Sequence, residues 1–227
     1  MSGVSTAARA IGLAVLVAVG ASCRAKEPAA PPHAGHFEHR FEKADDWVKV
    51  FDDPARDAWQ KPADVIALMK IDPGSTVVDL GAGTGYFEGR LSEAVGPTGK
   101  VLALDVEPDM IRYLRARAAR DKLDNVVAKL VRSDDPLLDK EGVDRILVVD
   151  TWHHVPDRPL YAARLRDGLR PGGAIFVVDF TLDASMGPPK EHRLPPEVVR
   201  AELAAVGLEA EIAPEELPEQ YVVVGRR

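Results

Sequence analysis

Residues 77–87 constrain the fold of this chain most strongly, because they combine an apolar run, a carboxylate and three closely spaced glycines. The run ends at Asp79, and Gly81, Gly83 and Gly85 follow at every second position. Glycines at this spacing let the backbone turn sharply and approach a ligand without interference from Cβ atoms. A helix that begins behind the turn offers free N–H groups to polar ligand atoms. The stretch therefore predicts a strand, a ligand-binding loop and a helix.

Segments of strand and helix character alternate along the chain, which is the pattern of a parallel sheet with helices on both faces. The last two predicted strands are joined without a helix-length segment, so we expect an antiparallel hairpin. We therefore predict one α/β domain with a doubly wound, seven-stranded, mostly parallel sheet and an antiparallel C-terminal hairpin. The predicted strands are residues 76–79, 100–105, 126–131, 145–149, 174–180, 208–213 and 220–224. The predicted helices are residues 63–69, 85–95, 108–120, 159–168 and 195–206, and residues 169–173 are a predicted turn.

Polar residues follow three successive predicted strands and should line one crevice, because the carboxyl ends of parallel strands meet at one edge of a sheet. Asp79 and the glycines form the first group. Asp105 comes about twenty residues after the glycine loop, a separation that suits a carboxylate accepting hydrogen bonds from ribose hydroxyls. Ser133 and Asp134 follow the third strand, where a side chain can reach the edge of an adenine ring.

The glycine spacing argues against two other kinds of nucleotide site. A dinucleotide-binding loop has its third glycine three residues after the second, and that position is Tyr86 here. The third glycine is Gly85 instead, and no Gly-Lys-Ser/Thr sequence follows it, as a triphosphate-binding loop requires. A nicotinamide-dependent oxidoreductase is therefore disfavoured.

The order of elements, the loop of residues 79–85, the carboxylates Asp105 and Asp134, and the turn of residues 169–173 resemble class I S-adenosylmethionine-dependent methyltransferases. The resemblance covers roughly residues 62–227 and implies a Rossmann-like fold with S-adenosyl-L-methionine as cofactor.

The resemblance also implies which residues hold each part of the cofactor. Asp79 and the backbone of the three glycines would hold the methionine end. Asp105 would hold the ribose, and Asp134 or its neighbour Ser133 would hold the adenine amine. Asp150, at the end of the fourth predicted strand, matches a position that faces the methionine part and the acceptor.

His153 and His154 follow the fourth strand and are candidate acid–base groups, because an unperturbed histidine titrates near neutral pH. The alternative is that one of them packs against the next helix and the other hydrogen-bonds locally. Many methyl transfers need no strong base, since the sulfonium is already activated and alignment in a dry pocket supplies much of the rate.

Residues 51–62 are unusually dense in Arg, Trp, Gln and carboxylates for a linker. Two interpretations stay open. The segment is a cap that packs Trp59 on the core, or it is a lid over the cofactor or acceptor with Arg56 and Gln60 as polar contacts. The segment and residues 191–193 look similar to a bacterial exported subgroup of the methyltransferase family.

The N-terminus has the pattern of a targeting segment. Residues 10–21 form an apolar run that is long enough for a signal sequence but too short to span a bilayer. The run leads into Gly-Ala-Ser-Cys23, which resembles a bacterial lipoprotein signal. We therefore expect residues 1–23 to be a signal segment and Cys23 to carry a lipid anchor. An ordinary cleaved signal or a membrane-anchoring start is the alternative.

Residues 24–40 are rich in Pro, Ala and His, which predicts a solvated tether before a methyltransferase domain of residues 41–227. His33, His36 and His39 lie three apart, but nearby prolines argue against the helix that would bring them together. We expect incidental histidines there rather than a metal site.

Composition limits the partners. The formal net charge of −7 does not supply the basic face that a nucleic acid needs. Cys23 is the only cysteine, so the chain has no internal disulfide and no cysteine cluster for zinc. We expect a lipid-anchored protein that faces the periplasm at the cell envelope, or a cytoplasmic protein if the signal interpretation is wrong.

Two classes of function fit these features. The first is methyl transfer from S-adenosylmethionine to an unidentified small-molecule or envelope acceptor. The second is a non-catalytic ligand- or protein-binding module at the envelope, because S-adenosylmethionine is made in the cytoplasm and this chain has a signal for export. The joint presence of Asp79, the three glycines and Asp105 favours the enzyme, since a decayed site has no reason to keep them together.

Overall fold

The structure is a computed structural model that describes residues 1–3, 41, 43–214 and 217–227. Residues 33–227 form one unit, and the fold below is that of its described residues. A separate unit covers residues 1–32, of which only residues 1–3 are described. Cys23, the predicted lipid anchor, and the histidines of the predicted tether lie outside the described residues.

Strands of the domain form a single sheet. In chain order they are β1 (Thr76–Leu80), β2 (Lys100–Asp105), β3 (Val126–Leu130), β4 (Val143–Val149), β5 (Leu169–Phe180), β6 (Glu209–Ile212) and β7 (Gln220–Arg226). Their order across the seven-stranded sheet is β3-β2-β1-β4-β5-β7-β6. β1 to β5 are parallel, whereas β7 is antiparallel to both β5 and β6. The predicted doubly wound, mostly parallel sheet with its antiparallel hairpin is confirmed.

Helices pack on both faces of this sheet. They are α1 (Ala44–Phe51), α2 (Arg56–Gln60), α3 (Pro62–Met69), α4 (Glu88–Val95), α5 (Pro108–Asp121), α6 (Arg158–Gly168) and α7 (Pro196–Ala205), with short 3₁₀ helices at Trp152–His154 and Lys190–His192. Several begin with proline in the first turn, where its missing N–H costs no helical hydrogen bond. In the part of the chain that the structure describes, no helix has the length and apolar character needed to cross a bilayer.

Residues of β1 alternate between two apolar cores. Val78 and Leu80 belong to the core under α6 and α7, whereas Val77 belongs to the core under α3 and α4. Successive side chains of a strand point to opposite faces, so a strand buried on both sides has an almost continuous apolar sequence. Each of these side chains contributes about 1.5–3 kcal/mol when fully buried. β1 is therefore packed on both faces, and the glycine loop follows directly after its carboxyl end.

The helix after the glycine loop begins at Glu88, three residues later than predicted. Gly81, Gly83 and Gly85 all have positive φ angles, which a right-handed helix cannot contain. The loop is therefore longer than expected, and Glu88 lies in the first turn of α4.

The predicted turn of residues 169–173 lies inside β5 rather than before it. Leu169 pairs with Val143 and Ala174 pairs with Arg145, so the residues between them are extra residues in an otherwise paired strand. Such an insertion bends a strand without ending it.

Candidate active site

The glycine loop follows β1 and has no room for side chains at two positions. Gly81 and Gly85 have φ angles of +76° and +90°. A Cβ atom on Gly81 would lie 2.2 Å from Oγ1 of Thr151, and one on Gly85 would lie 2.9 Å from Cδ2 of Leu114. The Gly81 N–H also donates to the backbone oxygen of Leu104 at 2.8 Å, which ties the loop to β2. Both the backbone conformation and the packing therefore demand glycine.

Asp105, the last residue of β2, holds the loop through its carboxylate. Oδ2 accepts the Gly83 N–H at 2.9 Å, and Oδ1 accepts the Glu107 N–H at 2.9 Å. Burial raises the pKa of Asp105, and these backbone donors oppose the rise. An ionised carboxylate offers about four lone pairs, so each oxygen can still accept a hydroxyl proton. The loop and the carboxylate that is predicted to bind the ribose are thus joined by a hydrogen bond.

Asp79 and Glu88 form a pair of buried carboxyl groups beneath the loop, 3% and 2% exposed. Burial raises the pKa of Asp79 to about 7, and the charge of Asp105 adds to the rise. The charge of Arg56 opposes the rise, as does a hydrogen bond that Glu88 donates when it is protonated. Burial and the negative charge of Asp79 together raise the pKa of Glu88 well above its ordinary value. A hydrogen bond between two carboxyl groups requires a proton on one of them.

We call residues 44–62 the N-terminal cap. From this cap Arg56 reaches the carboxyl ends of the strands, where its Nη2 lies 3.6 Å from Oδ2 of Asp150. Nε and Nη2 of Arg56 donate to Oε1 of Gln60 at 3.2 and 2.9 Å. The guanidinium also lies 4.2 Å from the ring centre of Tyr86, within the range of a cation–π contact.

A buried amide from the C-terminal hairpin completes this network. Gln60 donates to Oε1 of Gln220, and Gln220 donates in turn to Oδ1 of Asp150. The ring of Trp59 lies 5.7 Å from that of Phe180. The cap therefore packs an aromatic side chain on the domain and also brings polar groups to the strand ends. The interpretation of residues 51–62 as a lid over the cofactor or acceptor stays a prediction.

Asp52 ties the cap to the glycine loop at a second point. Its Oδ1 accepts the Thr84 hydroxyl proton at 2.9 Å, and its Oδ2 accepts from Nη1 of Arg117 at 2.6 Å. Nη1 of Arg117 also donates to the backbone oxygen of Thr84 at 2.9 Å. The cap is thus hydrogen-bonded to the loop and, through Gln220, to β7, and its Arg56 forms an ion pair with Asp150 at the end of β4.

His153 is hydrogen-bonded to a carboxylate that ends another strand. Its Nδ1 lies 2.9 Å from both carboxylate oxygens of Asp179 in β5, and both side chains are buried. The neighbouring Trp152 is fully buried and donates from Nε1 to Glu202, which anchors the short helix. Burial alone would lower the pKa of His153, but the hydrogen bond to Asp179 and the charges of Asp179 and Asp150 outweigh it, so the pKa rises.

Asp150 has an unusual backbone as well as a perturbed carboxyl group. Its φ angle of +50° is rare for a residue with a side chain and is typical of functional sites. Burial raises the pKa of Asp150 to about 7, Arg56 opposes the rise, and Asp179 adds to it. Two acids at the strand ends, the buried Asp79 and the partly buried Asp150, therefore have pKa values of about 7.

His154 lies next to His153 and to the aromatic side chain of Phe41. Its ring lies 4.2 Å from that of His153 and 5.7 Å from that of Phe41. Phe41 in turn contacts Trp47 and Phe51 at ring distances of 4.9 and 5.6 Å. This aromatic patch offers an apolar surface next to the histidine pair.

Ser133 and Asp134 lie beyond the end of β3 and have contacts of their own. The Asp134 carboxylate accepts two hydrogen bonds from Arg132, each of 2.8 Å, and this partner lowers the pKa of Asp134. Arg164 donates to the Asp134 backbone oxygen, and Ser133 is exposed. Their assignment to the adenine amine stays a prediction.

Three residues that the sequence analysis did not single out belong to the same region, namely Glu88, Asp179 and Gln220. Asp179 follows the rule that had identified Asp79, Asp105 and Asp150, since it is an acidic residue near the carboxyl end of an apolar strand. Glu88 was missed because α4 was predicted to begin at residue 85, whereas it begins at Glu88. Gln220 carries no local signal, because its partner Gln60 is 160 positions away in the chain.

Comparison with known proteins shows that this chain belongs to a family of methyltransferases. The family described as "Methyltransferase domain" matches residues 71–213. Nocamycin O-methyltransferase from Saccharothrix syringae is 33% identical over 146 residues, which cover 64% of this chain and 51% of that protein. Demethylmenaquinone methyltransferase from Oceanobacillus iheyensis is 24% identical over 151 residues, which cover 66% of this chain and 63% of that protein. The chain thus spans between half and two thirds of the length of these relatives.

Among solved structures, a SAM-dependent methyltransferase from Aquifex aeolicus superposes with a TM-score of 0.75 at 26% identity. The match covers 80% of this chain and 97% of that one. The fold described above is therefore shared with a structure of nearly the same length as the matched region.

Proposed function

Because this chain belongs to the methyltransferase domain family, we propose that it transfers a methyl group from S-adenosyl-L-methionine to a small-molecule acceptor. Its fold is that of the class I S-adenosylmethionine-dependent methyltransferases, and S-adenosyl-L-methionine is the cofactor that this family membership indicates. When bound, the cofactor supplies an electrophilic methyl group on a sulfonium.

The single observation that carries the proposal is the joint geometry of the glycine loop and Asp105. Gly81 is packed so closely that it admits no Cβ, and the amide of Gly83 is held 2.9 Å from Asp105. This surface fits a nucleoside, because the backbone can approach it and the carboxylate can accept both ribose hydroxyls. Asp79 and Asp150 offer negative charge to the ammonium of the amino-acid end, and Ser133 or Asp134 is the proposed contact of the adenine.

His153 is the proposed proton acceptor of the reaction, and Asp179 positions it. The carboxylate accepts the proton of Nδ1, which leaves Nε2 in the form that can accept a proton. No hydrogen bond within the described part of the chain reaches Nε2. An acceptor that must lose a proton, such as a hydroxyl or thiol compound, fits this arrangement, and a general base contributes about 10²–10⁴-fold.

His154 has a different proposed role. Its ring adjoins Phe41, which forms an aromatic patch with Trp47 and Phe51. This environment suits contact with an apolar part of the acceptor.

The place of action is proposed from the sequence. Cys23 would carry a lipid anchor and hold the domain at the cell envelope, facing the periplasm. Cell fractionation of the full chain and of Cys23→Ser tests this, since the variant is expected to leave the membrane fraction. Equal distribution of both proteins would contradict the anchor.

Transfer of a labelled methyl group from S-adenosylmethionine to envelope and small-molecule extracts tests the activity. The full chain is expected to label an acceptor, and Asp105→Asn is expected to lose most of that labelling. Asp121→Asn removes an exposed carboxylate of α5 and is the matched control. Binding of the cofactor without any labelling would favour the non-catalytic binding module.

A further inference from the structure

Among the described residues, no lysine or arginine makes an ion pair with the carboxyl groups of Asp79 and Glu88. Both oxygens of Glu88 are buried and have no hydrogen-bond partner among these residues. Oε2 lies beside the glycine loop, 3.2 Å from where a Cβ of Gly85 would be. Two buried, unpaired carboxylates side by side are strongly unfavourable, because each loses its hydration and each repels the other. The ligand-free pair therefore needs a positive charge or a proton.

The two arginines nearest the pair donate their hydrogen bonds to other groups. Arg117 of α5 faces Glu88 but donates to Asp52 and to the backbone of the loop. Arg56 of α2 faces Asp79 but donates to Gln60 and lies beside Asp150. In the described part of the chain, no arginine or lysine donates a hydrogen bond to either carboxyl group.

The remaining charged group that faces the pair is another acid. Asp105 at the end of β2 adds negative charge next to Asp79, so it increases the need for a proton. A proton shared between the two carboxyl groups satisfies this need and supplies the missing donor.

We propose that Asp79 and Glu88 share one proton in the ligand-free protein and release it when the ammonium group of the cofactor binds beside Asp79. This inference rests on the proposed function, and it adds Glu88 as a positioning residue. The exchange balances: a protonated pair with one negative charge and an ammonium cation give a doubly ionised pair bound to that cation, plus one proton in solution. No covalent bond other than the O–H bond of the pair breaks.

The raised pKa values of Asp79 and Glu88 agree with the release of a proton when the ammonium group binds. Burial raises the pKa of Asp79 to about 7 and holds the pKa of Glu88 well above its usual range. The ligand-free pair therefore retains a proton at neutral pH, and an adjacent cation favours its loss. Affinity for a ligand with an ammonium group should rise with pH, by up to about tenfold per unit where one whole proton is released.

Titration calorimetry of the full chain in two buffers of different ionisation enthalpy measures the released protons. S-adenosylhomocysteine has the amino-acid end of the cofactor, whereas methylthioadenosine has the nucleoside but no ammonium group. At a pH of about 6.5, we expect roughly one proton released with the first ligand and none with the second. The pKa of Asp150 is also raised to about 7. A variant is therefore needed to distinguish protons released by Asp150 from those released by the pair.

Glu88→Gln is that variant, because an amide donates a hydrogen bond to Asp79 without holding a titrating proton. It is expected to bind S-adenosylhomocysteine with most of the proton release lost, whereas Glu93→Gln, an exposed change in the same helix, keeps the wild-type release. Equal release by Glu88→Gln and the wild type would overturn the inference. Binding of S-adenosylhomocysteine to the wild type without proton release would also overturn it.

The wild type alone provides a second measurement if Glu88→Gln does not fold. The affinity for S-adenosylhomocysteine should increase with pH between about 6 and 7, while that for methylthioadenosine stays constant. Parallel pH dependences for the two ligands would contradict the exchange. Failure of both ligands to bind would instead contradict the proposed function, so the two failures are distinguishable.

Discussion

The guanidinium of Arg56 lies 3.6 Å from the carboxylate of Asp150. This contact joins the N-terminal cap to the carboxyl end of β4, at the point where the amino-acid end of the cofactor is expected. Only 13% of the Arg56 side chain is exposed, so the pair is largely shielded from solvent. Removing one partner of such a pair leaves the other buried and uncompensated.

Arg56→Gln is therefore expected to weaken S-adenosylhomocysteine binding roughly tenfold, about 1.4 kcal/mol. The cap loses its contact with Asp150, and the pKa of this partly buried carboxyl group rises further, so less negative charge faces the ammonium group of the ligand. Calorimetry measures the change. Arg90→Gln is the matched control, because Arg90 also lies near the Tyr86 ring but pairs with the exposed Asp57. Equal effects of the two substitutions would show that the contact with Asp150 is unimportant.

Asp179→Asn is expected to lower kcat by about 10–100-fold and leave cofactor affinity within about twofold. The neutral amide no longer stabilises the protonated imidazole, so the pKa of His153 falls. Because the base must be unprotonated, the acidic limb of the kcat profile should move to lower pH. A purely structural role for Asp179 would lower activity without moving this limb. Asp183→Asn, an exposed change just beyond β5, serves as the control.

Gly81→Ala is expected to destabilise the protein by about 2–4 kcal/mol, because the new methyl group meets Thr151 and the φ angle is positive. Gly172→Ala has a similar φ angle of +80° but open space around it, so about 1 kcal/mol is expected. Urea unfolding measures both. Combining Gly81→Ala with Thr151→Ala should recover part of the loss. Equal costs for the two glycine substitutions would contradict the proposed crowding.

The ligand-free protein is expected to lose stability as the pH rises from about 5 to about 8. Burial raises the pKa of Asp79 and of Asp150 to about 7, against about 3.9 in the unfolded chain. Between these values the folded state binds more protons, so the free energy of unfolding falls with rising pH, by about 1 kcal/mol per unit and group. His153, whose pKa folding also raises, acts in the same direction.

Urea unfolding at several pH values checks this dependence. Asp150→Asn should flatten it, because the amide has no proton to lose, whereas Asp124→Asn changes an exposed residue and should keep the wild-type slope. If the stability of the wild type stays constant or increases over this pH range, the raised pKa values of Asp79 and Asp150 would be contradicted.

Much of the fold was predictable because most strands, namely β1, β2, β4, β5 and β7, are largely buried and therefore have apolar sequences. The same reasoning located Asp79, Asp105 and Asp150, since parallel strands present their carboxyl ends at one edge of the sheet. The start of α4 was wrong because positive φ angles extend the glycine loop to Gly85. Because of this error, Glu88 was not recognised as a residue of the first helical turn after the loop.

Other parts of the site depend on contacts between distant residues. Gln60 and Gln220 meet only after the cap has folded onto the hairpin, and no pattern in either segment indicates their contact. The pairing of Asp134 with Arg132 likewise depends on a tight turn after β3 that the sequence pattern did not define. The positions of the strands could be predicted from their apolar sequences, whereas the contacts of the cap depend on side chains that meet only in the folded protein.

Binding of S-adenosylhomocysteine to the full chain, its Asp105→Asn variant and its Asp121→Asn variant tests the central proposal most directly. Calorimetry is expected to show one site in the wild type and in Asp121→Asn. In Asp105→Asn the affinity should fall about thirtyfold or more, because a charged acceptor of the ribose hydroxyls is lost and the glycine loop loses its anchor. Absence of binding by the wild type, or equal affinity in all three proteins, would contradict the proposal that this loop and Asp105 hold the cofactor.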